Sequence, residues 1–124
     1  MKITIPIAPR TKKNSMQIIR VRNRQVIIPS KLYKEYEAKC EWYLPPLEEP
    51  INYPVNVMCL YYMPTRRRVD LNNLLEATTD VLVKYGIIED DNYHIVASHD
   101  GSRVFYDKKN PRTEIIITRL EENE

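Results

Sequence analysis

Asp70, Asp90 and Asp91 are the residues of this 124-residue chain whose type and setting best suit chemistry. Other routes to a reaction lack their parts. The two glycines, Gly86 and Gly101, build no phosphate-cradling loop, so no nucleotide cofactor is expected. His94 and His99 lack zinc-ligand spacing, and no Ser/His/Asp or Cys/His arrangement stands out. A structural or exposed role is expected of both histidines. Carboxylates remain. Phosphodiester hydrolysis needs a hard divalent cation on oxygen ligands, to activate water and offset charge on the phosphate. Asp70 alone reads as an ordinary helix cap, and Glu89-Asp90-Asp91 alone as a solvated turn. Arg66, Arg67 and Arg68 change the balance, because they would bring phosphate-binding cations directly beside Asp70. Asp80 lies four residues before Lys84 and is expected to form a surface ion pair with it.

These acids need elements to carry them. The clearest helix runs from Leu71 to Tyr85, with Leu71, Leu74, Leu75, Thr78, Leu82 and Tyr85 on one side. Asp70 falls at its N-cap, and Gly86 suits the left-handed residue after its end. Such a helix is about 21 Å long, so Asp91 starts far from Asp70. Six extended residues, 86–91, span roughly 20 Å, just enough to return along the helix. That return path is the expectation; otherwise the acids must meet across a dimer interface.

Residues 2–7 alternate enough for a strand, and 8–15 carry loop chemistry with a basic centre. QIIRVR and QVIIP predict a hairpin turning at Asn23-Arg24, with Arg20, Arg22 and Arg24 in one region. Ser30 can cap a helix from Lys31 to about Tyr43, with Leu32, Tyr36, Cys40 and Tyr43 as its apolar stripe. Pro45, Pro46, Pro50 and Pro54 make the following stretch a linker. Residues 55–63 are apolar on both faces, as a central strand should be. Residues 94–106 and 113–119 predict a second hairpin through DKKNPR. The fold class is α+β: a mixed sheet with two covering helices, in a single small domain over 1–124.

Composition is 43% hydrophobic and 29% charged, which argues for a globular chain. No membrane span or secretory signal is expected, and Cys40 and Cys59 read as buried thiols in a reducing cytoplasm. The net charge of +2 conceals a split. Residues 1–39 hold ten Lys or Arg against two acids, whereas residues 70–124 hold six against twelve. The basic half suggests a polyanion partner; two oppositely charged solvated faces are the alternative.

The stretch RRRVDLNNLLEATTDVLVKYGIIEDDNYHIV (66–96) resembles the signature region of RusA-type Holliday-junction resolvases. Pro6, Pro9 and Asn14 around the basic loop are similar to that family's N-terminus, and the likeness covers nearly the whole chain. It implies a homodimeric, magnesium-dependent enzyme that resolves four-way DNA junctions by paired nicks in recombination and repair, often prophage-borne. By the same resemblance, Asp70 and Asp91 match catalytic aspartates and Asp90 the neighbouring acid. Two positions depart. Asn72 stands where a second catalytic Asp is usual, and Glu76 where a functional Lys is common. They lie four apart on one helical face, so Glu76 is expected to supply the missing carboxylate while Asn72 offers a neutral oxygen. The expected metal ligands are Asp70, Asp91, Asn72 and Glu76. Lys12, Lys13, Asn14, Arg66, Arg67 and Arg68 are expected to bind DNA, and which cation replaces the family Lys stays open among Lys12, Lys13 and the three arginines. Rival readings are a branched-DNA-binding protein with impaired chemistry, a nuclease for flaps or RNA, and a purely structural protein.

Overall fold

The computed structural model describes residues 1–12 and 16–121. The chain runs β1 (Lys2–Ile5), β2 (Met16–Val21), β3 (Arg24–Pro29), α1 (Lys31–Cys40), β4 (Val55–Met63), α2 (Leu71–Lys84), β5 (Val96–Ser98), β6 (Arg103–Tyr106) and β7 (Arg112–Arg119). Strand β4 is the axis of a five-stranded mixed sheet. On one side β7 pairs with it antiparallel from Val55↔Arg119 to Tyr62↔Arg112, and β1 pairs antiparallel with β7 beyond. On the other side β5 and then β6 pair with it in parallel.

The expected second hairpin is therefore wrong in its pairing. Strands β6 and β7 lie on opposite sides of β4, and the segment between them crosses the end of that strand. There the Asp107 amide donates to the Met63 carbonyl (2.9 Å). The Asp107 carboxylate accepts from the Lys109 and Asn110 amides and from the Arg112 guanidinium, fixing the crossover. Between β5 and β6, side chains replace the interrupted ladder: the Cys59 amide donates to Ser102 Oγ, and Asn56 Oδ1 accepts from the Asp100 amide. Gly101 turns this segment at φ +85°, where a Cβ would sit 2.6 Å from Met58 Sδ. Only glycine fits that turn without displacing Met58.

Both helices cover one face of the sheet. Val55, Val57, Cys59 and Tyr61 of β4, Ile3 and Ile5 of β1, and Ile115 and Ile117 of β7 point at them and are buried. From α2 come Leu74, Leu75, Ala77, Thr78, Val81 and Leu82, and the Tyr61 hydroxyl is satisfied at 2.7 Å by Thr78 Oγ1. Ser30 Oγ caps α1 by accepting from the Tyr33 amide (3.3 Å). The helix stops at Cys40 and tightens into a 3-10 turn over Glu41–Tyr43, so its buried stripe is Tyr33, Tyr36 and Cys40. Leu32 and Tyr43, expected inside, are exposed.

Strands β2 and β3 form a separate two-stranded sheet. Its turn is Arg22-Asn23, both at positive φ (50° and 66°), one residue earlier than the sequence suggested. Both residues in the left-handed region is the geometry of a tight hairpin that matches strand twist. Among the described residues no helix is long and apolar enough to cross a membrane.

Candidate active site

Asp70 sits where β4 gives way to α2. Its backbone is extended (φ −85°, ψ 127°) and its carbonyl accepts the Leu74 amide at 3.1 Å, so it is the N-cap by position. Its carboxylate, however, caps no backbone amide. It accepts instead from Asn73 Nδ2 at 3.3 Å and stays exposed. A carboxylate left off the helix amides, yet held at the positive end of the helix dipole, is open to a cation from solvent.

The basic run before it divides. Arg66 stacks its guanidinium over the Tyr106 ring, 4.1 Å from the centroid, and so belongs to the β6 side. Arg67 and Arg68 line a groove with Arg10, and Arg68 also lines a smaller recess with Val69, Asp70 and Asn73. Arg10 was missed in the sequence reading, although it lies in the basic loop.

Asn72 and Glu76 are both exposed, and Asp80 is half-buried one turn further on. Spacing of four puts all three along one helical face. The expected Asp80–Lys84 pair does not form. Lys84 turns to Glu37 on α1, and Asp80 Oδ2 takes Lys12 Nζ at 2.7 Å. Lys84 meets Glu37 because α1 packs beside that end of α2, where Tyr85 also donates its hydroxyl to the Glu37 carbonyl (3.1 Å). Lys12, expected on DNA, thus clamps the N-terminal loop to α2. Lys13 and Asn14 lie outside the described residues.

The acid pair closes on itself. The Asp91 amide donates to Asp90 Oδ1 (2.7 Å) and Asn92 Nδ2 to Asp90 Oδ2 (3.1 Å). Those bonds hold the Asp90 carboxyl below the usual aspartate range, that of the Asp91 amide most of all. Asp91 moves the other way. Partial desolvation first, then hydrogen bonding and repulsion from Asp90, with Asp80 contributing, raise its carboxyl above the usual value. Two carboxylates so placed favour sharing a proton or receiving a cation. Asn92 Oδ1 accepts the His94 amide (2.9 Å), and the His94 ring rests on exposed Tyr93 with centroids 4.2 Å apart. His99 is structural, its Nδ1 2.8 Å from the Val57 carbonyl oxygen.

Asp90 and Asp80 are the acids whose charges raise the Asp91 carboxyl. The loop therefore runs near the second half of α2, where Asp80 lies. Asp70 and Asp80 are separated by ten helical residues, about 15 Å. Among the described residues no group of three or more His, Cys, Asp or Glu is placed to hold a metal ion. The donor chemistry at each end is right for a hard divalent cation, being carboxylate and amide oxygen. The number gathered within one chain is short.

Fold and site together are those of a small α+β domain with acids and arginines at a strand-to-helix junction. The family model for the endodeoxyribonuclease RusA matches residues 6–118, and the chain belongs to that family. It is also similar to the crossover junction endodeoxyribonuclease RusA of Aquifex aeolicus (strain VF5), 31% identical over 80 residues. That match spans 63% of this chain and 63% of the relative's length.

Proposed function

We propose that this protein is a structure-selective endodeoxyribonuclease that resolves four-way DNA junctions, acting as a homodimer whose two active sites are each shared between protomers. The observation that carries this reading is the division of the acids: an uncapping Asp70 at one end of α2, and a self-repelling Asp90–Asp91 pair beside its other half. In a family of DNA endonucleases, two incomplete acid groups on one helix are explained if a two-fold axis brings the first group of each copy to the second group of the other. On this reading the interface alternative is preferred to the return path within one chain. Paired sites also suit a junction of approximate two-fold symmetry, where two nicks of like polarity are needed.

Asp70 and Asn72 of one copy, with Asp91 of the second, are the residues that would hold magnesium. Glu76 would add a carboxylate from one turn further along. Bound there, magnesium supplies Lewis-acid stabilisation and an activated water for phosphodiester cleavage. Asp90 keeps the Asp91 carboxylate oriented through the tight turn at 90–92. Arg67 and Arg68 hold the DNA backbone beside Asp70, reading shape rather than base identity. A role in recombination and repair follows from that substrate, and the predominantly basic N-terminal third adds sequence-independent affinity that falls steeply with salt.

Mixing tests the shared site directly. Asp70→Asn and Asp91→Asn are each expected to bind a four-way junction without magnesium-dependent nicking. Co-refolded together, they form heterodimers with one doubly altered site and one intact site, so single nicks return. If mixing restores no nicking although heterodimers form, the acids act within one chain and the shared site is wrong. Comparing four-way, flap and RNA substrates separates a resolvase from a nuclease of other specificity.

A further inference from the structure

The groove between residues 8–11 and 63–69 is a cavity of about 420 Å³ whose floor is apolar, from Pro9, Met63 and Val69, and whose walls carry Arg10, Arg67 and Arg68. Among the described residues, none of these three guanidiniums is in an ion pair with a carboxylate. Some other surface cations do find acids, as Lys12 has Asp80, Lys84 has Glu37, and Arg112 has both Asp107 and Glu114, while Arg66, Arg103 and Arg119 rest on aromatic rings. Three arginines left open around one concavity favour an anionic occupant.

The floor narrows the choice. A duplex backbone laid on arginines needs no apolar recess, because its bases stay stacked inside. A nucleotide turned out of the stack offers a phosphate for the arginines and a flat apolar face for Met63 and Pro9. The volume falls within the range of pockets that enclose small ligands, about 300–1,000 Å³. Position narrows it further. Arg68 and Val69 line both this groove and the recess that contains Asp70, so its occupant is a near neighbour of any phosphate presented to Asp70.

We propose that the groove receives one unpaired nucleotide at the branch point of the junction, which sets the phosphate beside Asp70 and gives the site its preference for branched DNA. The inference rests on the nuclease reading for its biological substrate, but the groove's affinity can be measured without cleavage. In the full chain, the Met63 methyl and the Arg10, Arg67 and Arg68 Nε–H signals are followed by NMR while the dinucleotide TpT is added. All are expected to shift, whereas inorganic phosphate moves the arginine signals alone. Arg10→Gln combined with Arg67→Gln should weaken TpT binding at least about tenfold, the scale of one lost charged hydrogen bond. Affinity unchanged in that variant, or a Met63 signal that TpT leaves still, overturns the assignment. With 2-aminopurine at the branch point and calcium in place of magnesium, emission should rise on binding the parent protein and lose that rise with the variant. An undiminished rise in the variant also overturns it. The nuclease reading fails separately, through a protein that takes TpT at Met63 yet cuts no branched substrate.

Discussion

The two ends of α2 solve opposite electrostatic problems. At the N-terminal end one carboxylate, Asp70, stands among arginines and helix amides and is engaged by neither. At the other end two carboxylates stand side by side with no cation on them among the described residues, and the Lys12 that reaches this region goes to Asp80. The first end attracts phosphate; the second resists becoming fully charged. Neither gathers enough oxygen ligands in one chain, and each supplies what the other lacks. Hydrolysis of a phosphodiester asks for both at once, so the proposed function takes the pair of ends, rather than either motif, as its unit.

The sharpest way to break this comparison is to remove one acid from each end. Asp70→Asn and Asp91→Asn should each lower the cleavage rate by about 10³-fold or more, leaving junction affinity within a few fold. Gel-shift titration beside single-turnover nicking would check this; equal loss of binding and cleavage would mean these acids shape the fold, not the reaction. Glu76→Gln should cost about 10²-fold in the same assay, and near-normal nicking would remove Glu76 from the metal site.

A smaller effect concerns pH. The raised Asp91 carboxyl must lose its proton before it can bind a cation, so cleavage should fall with decreasing pH from a point above the ordinary aspartate value. Asp90→Asn removes the like charge and should move that acid limb to lower pH, though not all the way, because desolvation is the larger cause. A pH–rate profile that does not move, or moves upward, would contradict the coupling. The smallest effect belongs to Lys12→Ala. Its ion pair with Asp80 is about one-third exposed at both partners, so no more than about 1 kcal/mol of stability should be lost in a denaturant titration.

Local signals made the central frame legible. Strand β4 and helix α2 lie where apolar alternation and 3.6-residue periodicity put them, because both are long enough for their pattern to outweigh tertiary accidents. The stripe of α1 was misread by one position, since Leu32 and Tyr33 compete for the core and only the docking of α1 beside α2 selects Tyr33. Ion-pair partners were misread for a related reason. Spacing of four offers Lys84 to Asp80, but Glu37 comes from 47 residues away and Lys12 from 68. The second hairpin failed because hairpin pairing was assumed from proximity in sequence, while the chain crosses over β4 instead. Residue type and spacing marked Asp70, Asp90 and Asp91 without help from the fold.

The sequence by itself determined the helix α2 and the family the chain belongs to, since each is written in local pattern and motif, and it nominated the acids of the proposed site. Tertiary structure alone decided that Asp91 comes under the charge of Asp80, and that Arg10 joins Arg67 and Arg68 around one groove. Both depend on how a short loop packs against distant residues, and the energy of such packing is not encoded at any one stretch of the chain.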